Sequence, residues 1–276
     1  MSSQSLSNSA QSGNAQSGNA QFKSAPPEGP QYVCSTPLNL YASPELKALA
    51  TQAASGRQLR ILTPSSDASE LDALGQRDRP TSPDASSPDA SSPAAIAVLL
   101  CEDDYPGWIT ATDLETLQPA SPYHAESLSR RQISDRLSQV LDFARAALAL
   151  PNTYLWGGTL GPDYDCSGLV QAAFASAGVW LPRDAYQQES FTQPISTREL
   201  QPGDLVFFGA ARVTHVALSL GGDRYIHSSG QQGRSGIGID VLSEAGDAIS
   251  QAYYRQFWGT GRVMKSYRPQ GRPFQC

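Results

Sequence analysis

An α+β unit preceded by a small all-β barrel is the fold the sequence predicts, and three observations predict it. Residues 31–119 hold short apolar runs broken by turn residues. From about residue 127 the apolar period becomes helical, and after about 200 it returns to strand-like runs. Helices grouped first and strands afterwards are the α+β order, because an alternating parallel sheet would interleave them.

Taken in order, residues 1 to about 30 repeat Q-S-G-N-A and then give A-P-P-E-G-P. That composition is too polar to repay the entropy of ordering, so a flexible tail is expected. The runs Y-V-C, L-N-L-Y, L-R-I-L, A-I-A-V-L-L and G-W-I supply the strands of the barrel. Between L-R-I-L and A-I-A-V-L-L, roughly 64–94 repeat S-P-D-A-S and read as an inserted loop. Such a loop is tolerable because each doubling of loop length costs only about 0.6 kcal/mol. The second unit, 127–276, starts with a helix carried by Ile133, Leu137, Val140, Leu141, Ala144 and Leu148 and stopped by Pro151. A second, alanine-rich helix is expected from about 166 to 178, and then the strands D-L-V-F-F, H-V-A-L-S-L, R-Y-I-H and G-I-G-I-D-V.

Composition excludes some functions. The net charge of −6, with no dense Lys/Arg cluster, argues against nucleic acid or another polyanion as partner. No run of about 18 apolar residues occurs, so no membrane-spanning helix is expected. The polar amino terminus lacks the basic start and apolar centre of a secretory signal, and a cytoplasmic, monomeric protein is the expectation. The four cysteines, at 34, 101, 166 and 276, include no C-x-x-C pair, so neither a structural metal nor a redox motif is expected, and no cofactor is. Cys34 and Cys101 lie in apolar runs and read as small buried residues.

Cys166 differs, because it follows Asp165 at a helix start. An Asp there caps backbone N–H groups, and the positive end of the helix dipole favours a thiolate, the nucleophile that acyl transfer needs. Packing alone would explain one such cysteine. The chain has only three histidines, however, and two of them, His215 and His227, fall in consecutive strands joined by the turn sequence Gly-Gly-Asp. An antiparallel hairpin brings them close, and only a register that puts both on one face lets the rings touch; the sequence leaves that register open. His215 then takes the thiol proton and His227 orients His215, while His124 reads as a surface residue.

These residues lie within Y-L-W-G-G (154–158), D-C-S-G-L-V (165–170), L-P-R-D-A-Y-Q-Q (181–188), L-Q-P-G-D-L-V-F-F (200–208), T-H-V-A-L (214–218) and Y-I-H-S-S (225–229). In order and spacing the set resembles the NlpC family of bacterial cell-wall cysteine peptidases, over about 127–265. That resemblance implies a permuted papain-like domain with Cys166 as nucleophile, His215 as base and His227 as third polar member. The barrel is similar to bacterial SH3-like domains. The pairing resembles γ-D-glutamyl-L-diamino acid endopeptidases, which cut murein tripeptides or tetrapeptides bearing a free amino-terminal L-Ala, and so implies a role in cell-wall recycling. It also implies a substrate pocket of Asp104 and Tyr105, from D-D-Y-P-G-W, with Asp165 and Ser167 beside the nucleophile.

The residues also fit different chemistry. The same triad serves an amidase or acyltransferase, since it activates acyl transfer without choosing the acceptor. A non-catalytic peptide-binding module is compatible with the motifs, and so is a zinc site of one thiolate and two imidazoles.

Overall fold

The structure, a computed structural model, describes residues 29–62, 94–231 and 233–274. The expected tail and the S-P-D-A-S loop lie almost wholly outside the described residues.

The amino-terminal part is all-β, as expected. Strands β1 (Gln31–Cys34), β2 (Leu38–Tyr41), β3 (Leu49–Ala53), β4 (Gln58–Ile61), β5 (Ala95–Leu100), β6 (Pro106–Thr110) and β7 (Leu117–Ala120) form one antiparallel sheet. Their order is β3-β2-β6-β5-β4-β1-β7. In β2, Leu38 and Leu40 turn inward and Asn39 outward, the alternation that a half-buried strand requires. Cys34, Leu38, Leu40, Ala53, Leu59, Val98, Leu100 and Ile109 close the core beneath them. Cys34 is therefore a small buried residue as expected, and Cys101 is buried too.

In the second part, α1 (Arg130–Leu148) starts at a capping box in which the Ser129 hydroxyl accepts from the Gln132 N–H and the Gln132 side chain accepts from the Ser129 N–H. Its apolar stripe buries Ile133, Val140, Leu141, Ala144 and Ala147. A short pair, β8 (Thr159–Leu160) and β9 (Asp163–Tyr164), leads into α2 (Cys166–Ser176), which is packed against α1. Eight of the residues of α2 are buried, so this helix runs through the core. Gly168 permits that path: a Cβ there would lie 2.0 Å from the Gly158 carbonyl oxygen. After α3 (Ala185–Phe191), the strands β10 (Gln193–Ile195), β11 (Leu205–Gly209), β12 (Val213–Gly221), β13 (Arg224–Ser229), β14 (Gly236–Val241) and β15 (Phe257–Arg262) form an antiparallel sheet ordered β10-β15-β11-β12-β13-β14. A last helix, α4 (Ala248–Tyr254), lies between β14 and β15 in the chain. Helices before sheet is the expected α+β order.

The two parts are tied by buried and partly buried polar contacts. Thr159 donates its hydroxyl to the Gln52 carbonyl at 2.8 Å, and the Gln52 side chain accepts from the N–H groups of Thr159 and Leu160. Gln171 of α2 reaches Asp103 at 2.8 Å, and Arg183 reaches the Thr51 hydroxyl at 2.9 Å. The carboxyl-terminal segment returns to the first sheet, where Arg60 donates to the Gly271 carbonyl.

Candidate active site

The site is assembled at the first turn of α2. The Asp165 side chain accepts the Gly168 N–H at 2.6 Å, capping the helix and placing Cys166 at its first position. The Cys166 sulfur lies against the backbone N–H groups of Ser167 and of Val216, the neighbour of His215 in β12.

The hairpin register left open by the sequence is settled by the pairing of Leu218 with Ile226. His215 and His227 each lie an odd number of residues from that pair, so both project from the opposite face. Their rings meet edge to face with centroids 4.9 Å apart, and His215 Nε2 lies 2.7 Å from His227 Nδ1. Tyr253 of α4 stacks on His215 at 4.5 Å, and its hydroxyl bonds Ser229. His227 is fully buried, and its other ring nitrogen, Nε2, lies 2.6 Å from Asp240 Oδ2. Arg234 donates to the same oxygen, and Ser250 donates to Oδ1. The sequence reading missed Asp240, although a signal was present: a carboxylate inside the otherwise apolar strand G-I-G-I-D-V needs a buried partner.

The four residues expected to line the pocket divide. Tyr105 packs on the first core while its phenol lies within electrostatic reach of Asp165, Arg183 and Asp184. The Ser167 hydroxyl accepts from Arg183 at 2.9 Å and donates to Asp165, which leaves one lone pair. Asp165 is already committed. Its two oxygens receive the N–H groups of Gly157 and Gly168 and a two-pronged Arg183 guanidinium at 3.1 and 2.6 Å, so no lone pair is left for a substrate ammonium. Asp104 corrects the expectation more fully. It sits at a positive φ of 55° and accepts from the Tyr267 hydroxyl and the N–H groups of Gln270 and Gly271, so it fastens the carboxyl-terminal segment instead of facing the pocket.

Burial governs the electrostatics. It pushes the Cys166 thiol up to about 12, with the Asp165 charge adding to it, and the two N–H groups at the sulfur and nearby Arg183 do not offset this. His215 is held well below the ordinary imidazole range by burial and then by His227. Both shifts run against the expected helix-dipole thiolate and favour a thiol beside a neutral imidazole. His124, by contrast, is exposed as expected.

Burial also lowers His227, although Asp240 opposes it. Both folded-state values lie below the unfolded value of about 6.5, so on acidification the unfolded chain takes up protons first. The stabilisation is full above about pH 6.5 and is lost as the pH falls, by up to about 1.4 kcal/mol per pH unit for each histidine. Glu102 and Asp104, whose carboxyls burial pushes up, oppose this at lower pH. The denaturation midpoint should therefore drop between pH 7.5 and 5.5; an unchanged midpoint would refute neutral buried imidazoles.

Among the described residues, no group of three or more His, Cys, Asp or Glu side chains is arranged to hold a metal ion. The two imidazoles bond each other instead of converging on an ion. No helix of the described residues is long and apolar enough to cross a membrane.

Residues 151–259 match the NlpC/P60 family. This stretch is an NlpC/P60 domain. Cys166, His215, His227 and Asp240 all fall inside it, and its mixed helices and sheet are those expected of the family's papain-like fold. A bifunctional muramidase/DL-endopeptidase of Bacillus subtilis is 46% identical over 82 residues, 28% of this chain and 25% of that protein. A γ-D-glutamyl-L-lysine dipeptidyl-peptidase of the same organism is 36% identical over 100 residues, 35% of this chain and 32% of that protein. The chain thus spans a third or less of these two relatives. An NlpC/P60 protein structure from Bacillus cereus covers 86% of this chain and 64% of its own at 20% identity, with a TM-score of 0.42.

Proposed function

We propose that this protein is a cysteine endopeptidase that cleaves the bond between γ-D-Glu and the diamino acid of murein peptides with a free amino-terminal L-Ala. The observation that carries the reading is the buried hydrogen-bonded pair of His215 and His227 on adjacent strands, the first of which meets the Cys166 sulfur through the Val216 N–H, inside an NlpC/P60 domain. Of the two relatives named above, one is by name a DL-endopeptidase and the other a γ-D-glutamyl-L-lysine dipeptidyl-peptidase. In the reaction, Cys166 passes its proton to His215 as the sulfur bonds the carbonyl carbon. The C–N bond then breaks, the imidazolium hands the proton to the leaving amine, and water hydrolyses the thioester.

The proposed subsite for the amino terminus pairs Tyr105, between β5 and β6, with Ser167 of α2, and an SH3-like role for the first sheet is part of the proposal. The Ser167 lone pair and the Tyr105 phenol are acceptors suited to an ammonium. A free amino terminus is absent from intact wall strands, where that nitrogen is acylated, so the activity fits recycling of released fragments by a monomeric cytoplasmic enzyme. Digestion of L-Ala-γ-D-Glu-diaminopimelate, followed by mass spectrometry, tests this. Free diaminopimelate should appear, and acetylating the amino terminus should stop its release. Persistence of the free tripeptide would defeat the assignment, and equal cleavage of the blocked peptide would defeat the ammonium pocket. Transfer of the acyl group to an added amine in place of water would assign an acyltransferase.

A further inference from the structure

The chain of hydrogen bonds behind the nucleophile ends on a carboxylate, and a carboxylate can only accept. His227 Nε2, 2.6 Å from Asp240 Oδ2, must therefore carry a hydrogen. A neutral His227 then has a bare lone pair at Nδ1. That atom lies 2.7 Å from His215 Nε2, so His215 Nε2 must carry a hydrogen and donate it. One position is left without a proton, Nδ1 of His215.

From this geometry, and resting on the hydrolase reading above, we propose that Asp240 is a positioning residue which, through His227, holds His215 in the tautomer whose Nδ1 receives the Cys166 proton. Arg234 is its partner. It donates to the same Oδ2 that His227 uses, and its guanidinium lies across Gly238, the residue paired with His227, where a Cβ would come within 2.6 Å of Nη1. Two donors converging on one oxygen require an acceptor there. The Ser250 hydroxyl at Oδ1 is the partner that can adapt, since a hydroxyl donates or accepts.

This arrangement separates the effect of charge from that of hydrogen-bond direction. In Asp240→Asn the amide oxygen takes the Oδ2 position, because both Arg234 and His227 point hydrogens at it, and the amide nitrogen turns to Ser250. The tautomers survive, and kcat should stay within roughly tenfold of wild type. In Asp240→Ala the His227 Nε2–H has no acceptor, both rings become free to exchange tautomers, and kcat should fall on the order of 100-fold with KM little changed, the scale of a misplaced general base.

The experiment is steady-state kinetics of the full chain and both variants on the tripeptide, together with nitrogen-15 NMR of the His215 and His227 rings. Wild type and Asp240→Asn should each show His215 with Nε2 protonated and Nδ1 bare, and Asp240→Ala should show both nitrogens in intermediate exchange. A folded Asp240→Ala with near-wild-type kcat overturns the proposal while leaving the hydrolase reading intact. A protonated His215 Nδ1 in the wild type overturns it regardless of substrate, so the NMR arm stands even if the tripeptide is not cleaved or the alanine variant does not fold.

Discussion

Cys166→Ala should abolish tripeptide cleavage, with a loss of roughly 10⁴- to 10⁶-fold in kcat, and His215→Ala should lose nearly as much. Nucleophile and base act as one unit, so the double variant should be no worse than either single one. The resting chemistry differs from that of an ion-paired cysteine enzyme. With the thiol pushed up to about 12 and His215 well below its ordinary range, both shifts favour the neutral pair. The thiolate then arises only as the proton moves to His215 during attack. Alkylation of free enzyme by iodoacetamide at Cys166 should accordingly quicken as the pH is raised from 6 to 9. A rate that is fast and flat across that range would show a standing thiolate, and full tripeptide activity in Cys166→Ala would remove the nucleophile from the reaction.

How much of the fold and site was legible depends on the range of the interaction concerned. Helix α1 was legible because its buried residues, Ile133, Val140, Leu141 and Ala144, recur at the helical period, a signal contained within the segment. Strands β3 and β7 were not. L-A-T-Q-A has one β-branched residue and L-Q-P-A contains a proline, and both are edge strands, where such residues are tolerated. The hairpin of His215 and His227 was legible from its turn, but its register was not. The ladder shifts by one residue between Ser219 and Gly221, and a shift of one exchanges the faces. Asp240 joins the site from the next strand, and Asp104 is claimed by Tyr267, 163 residues away, so neither partnership leaves a local pattern. The expected thiolate is opposed by burial for a related reason. The helix start is written in D-C-S-G, whereas the burial that outweighs it is made by the whole fold.

Arg183→Met should destabilise the folded chain by about 3–5 kcal/mol, the cost of stripping a buried carboxylate of its ion-paired partner. Arg183 is 1% exposed and holds together four features: the two oxygens of Asp165, the Ser167 hydroxyl and, across to the first sheet, Thr51. Removing it leaves the Asp165 charge facing two backbone N–H groups and the Ser167 hydroxyl in a buried site, and the helix cap beneath Cys166 depends on that Asp165 side chain. Lysine should not rescue, because one ammonium cannot present the planar fork that spans both oxygens and also reaches Thr51. Arg183→Met combined with Asp165→Asn should regain part of the loss, since an amide needs no counter-charge and its oxygen still accepts at the helix start. Urea denaturation of the three variants measures this directly. A single Arg183→Met variant within 1 kcal/mol of wild type would mean that the pair only balances its own desolvation. The link from sheet to α2 would then rest on Gln52 with Thr159 and on Asp103 with Gln171 instead.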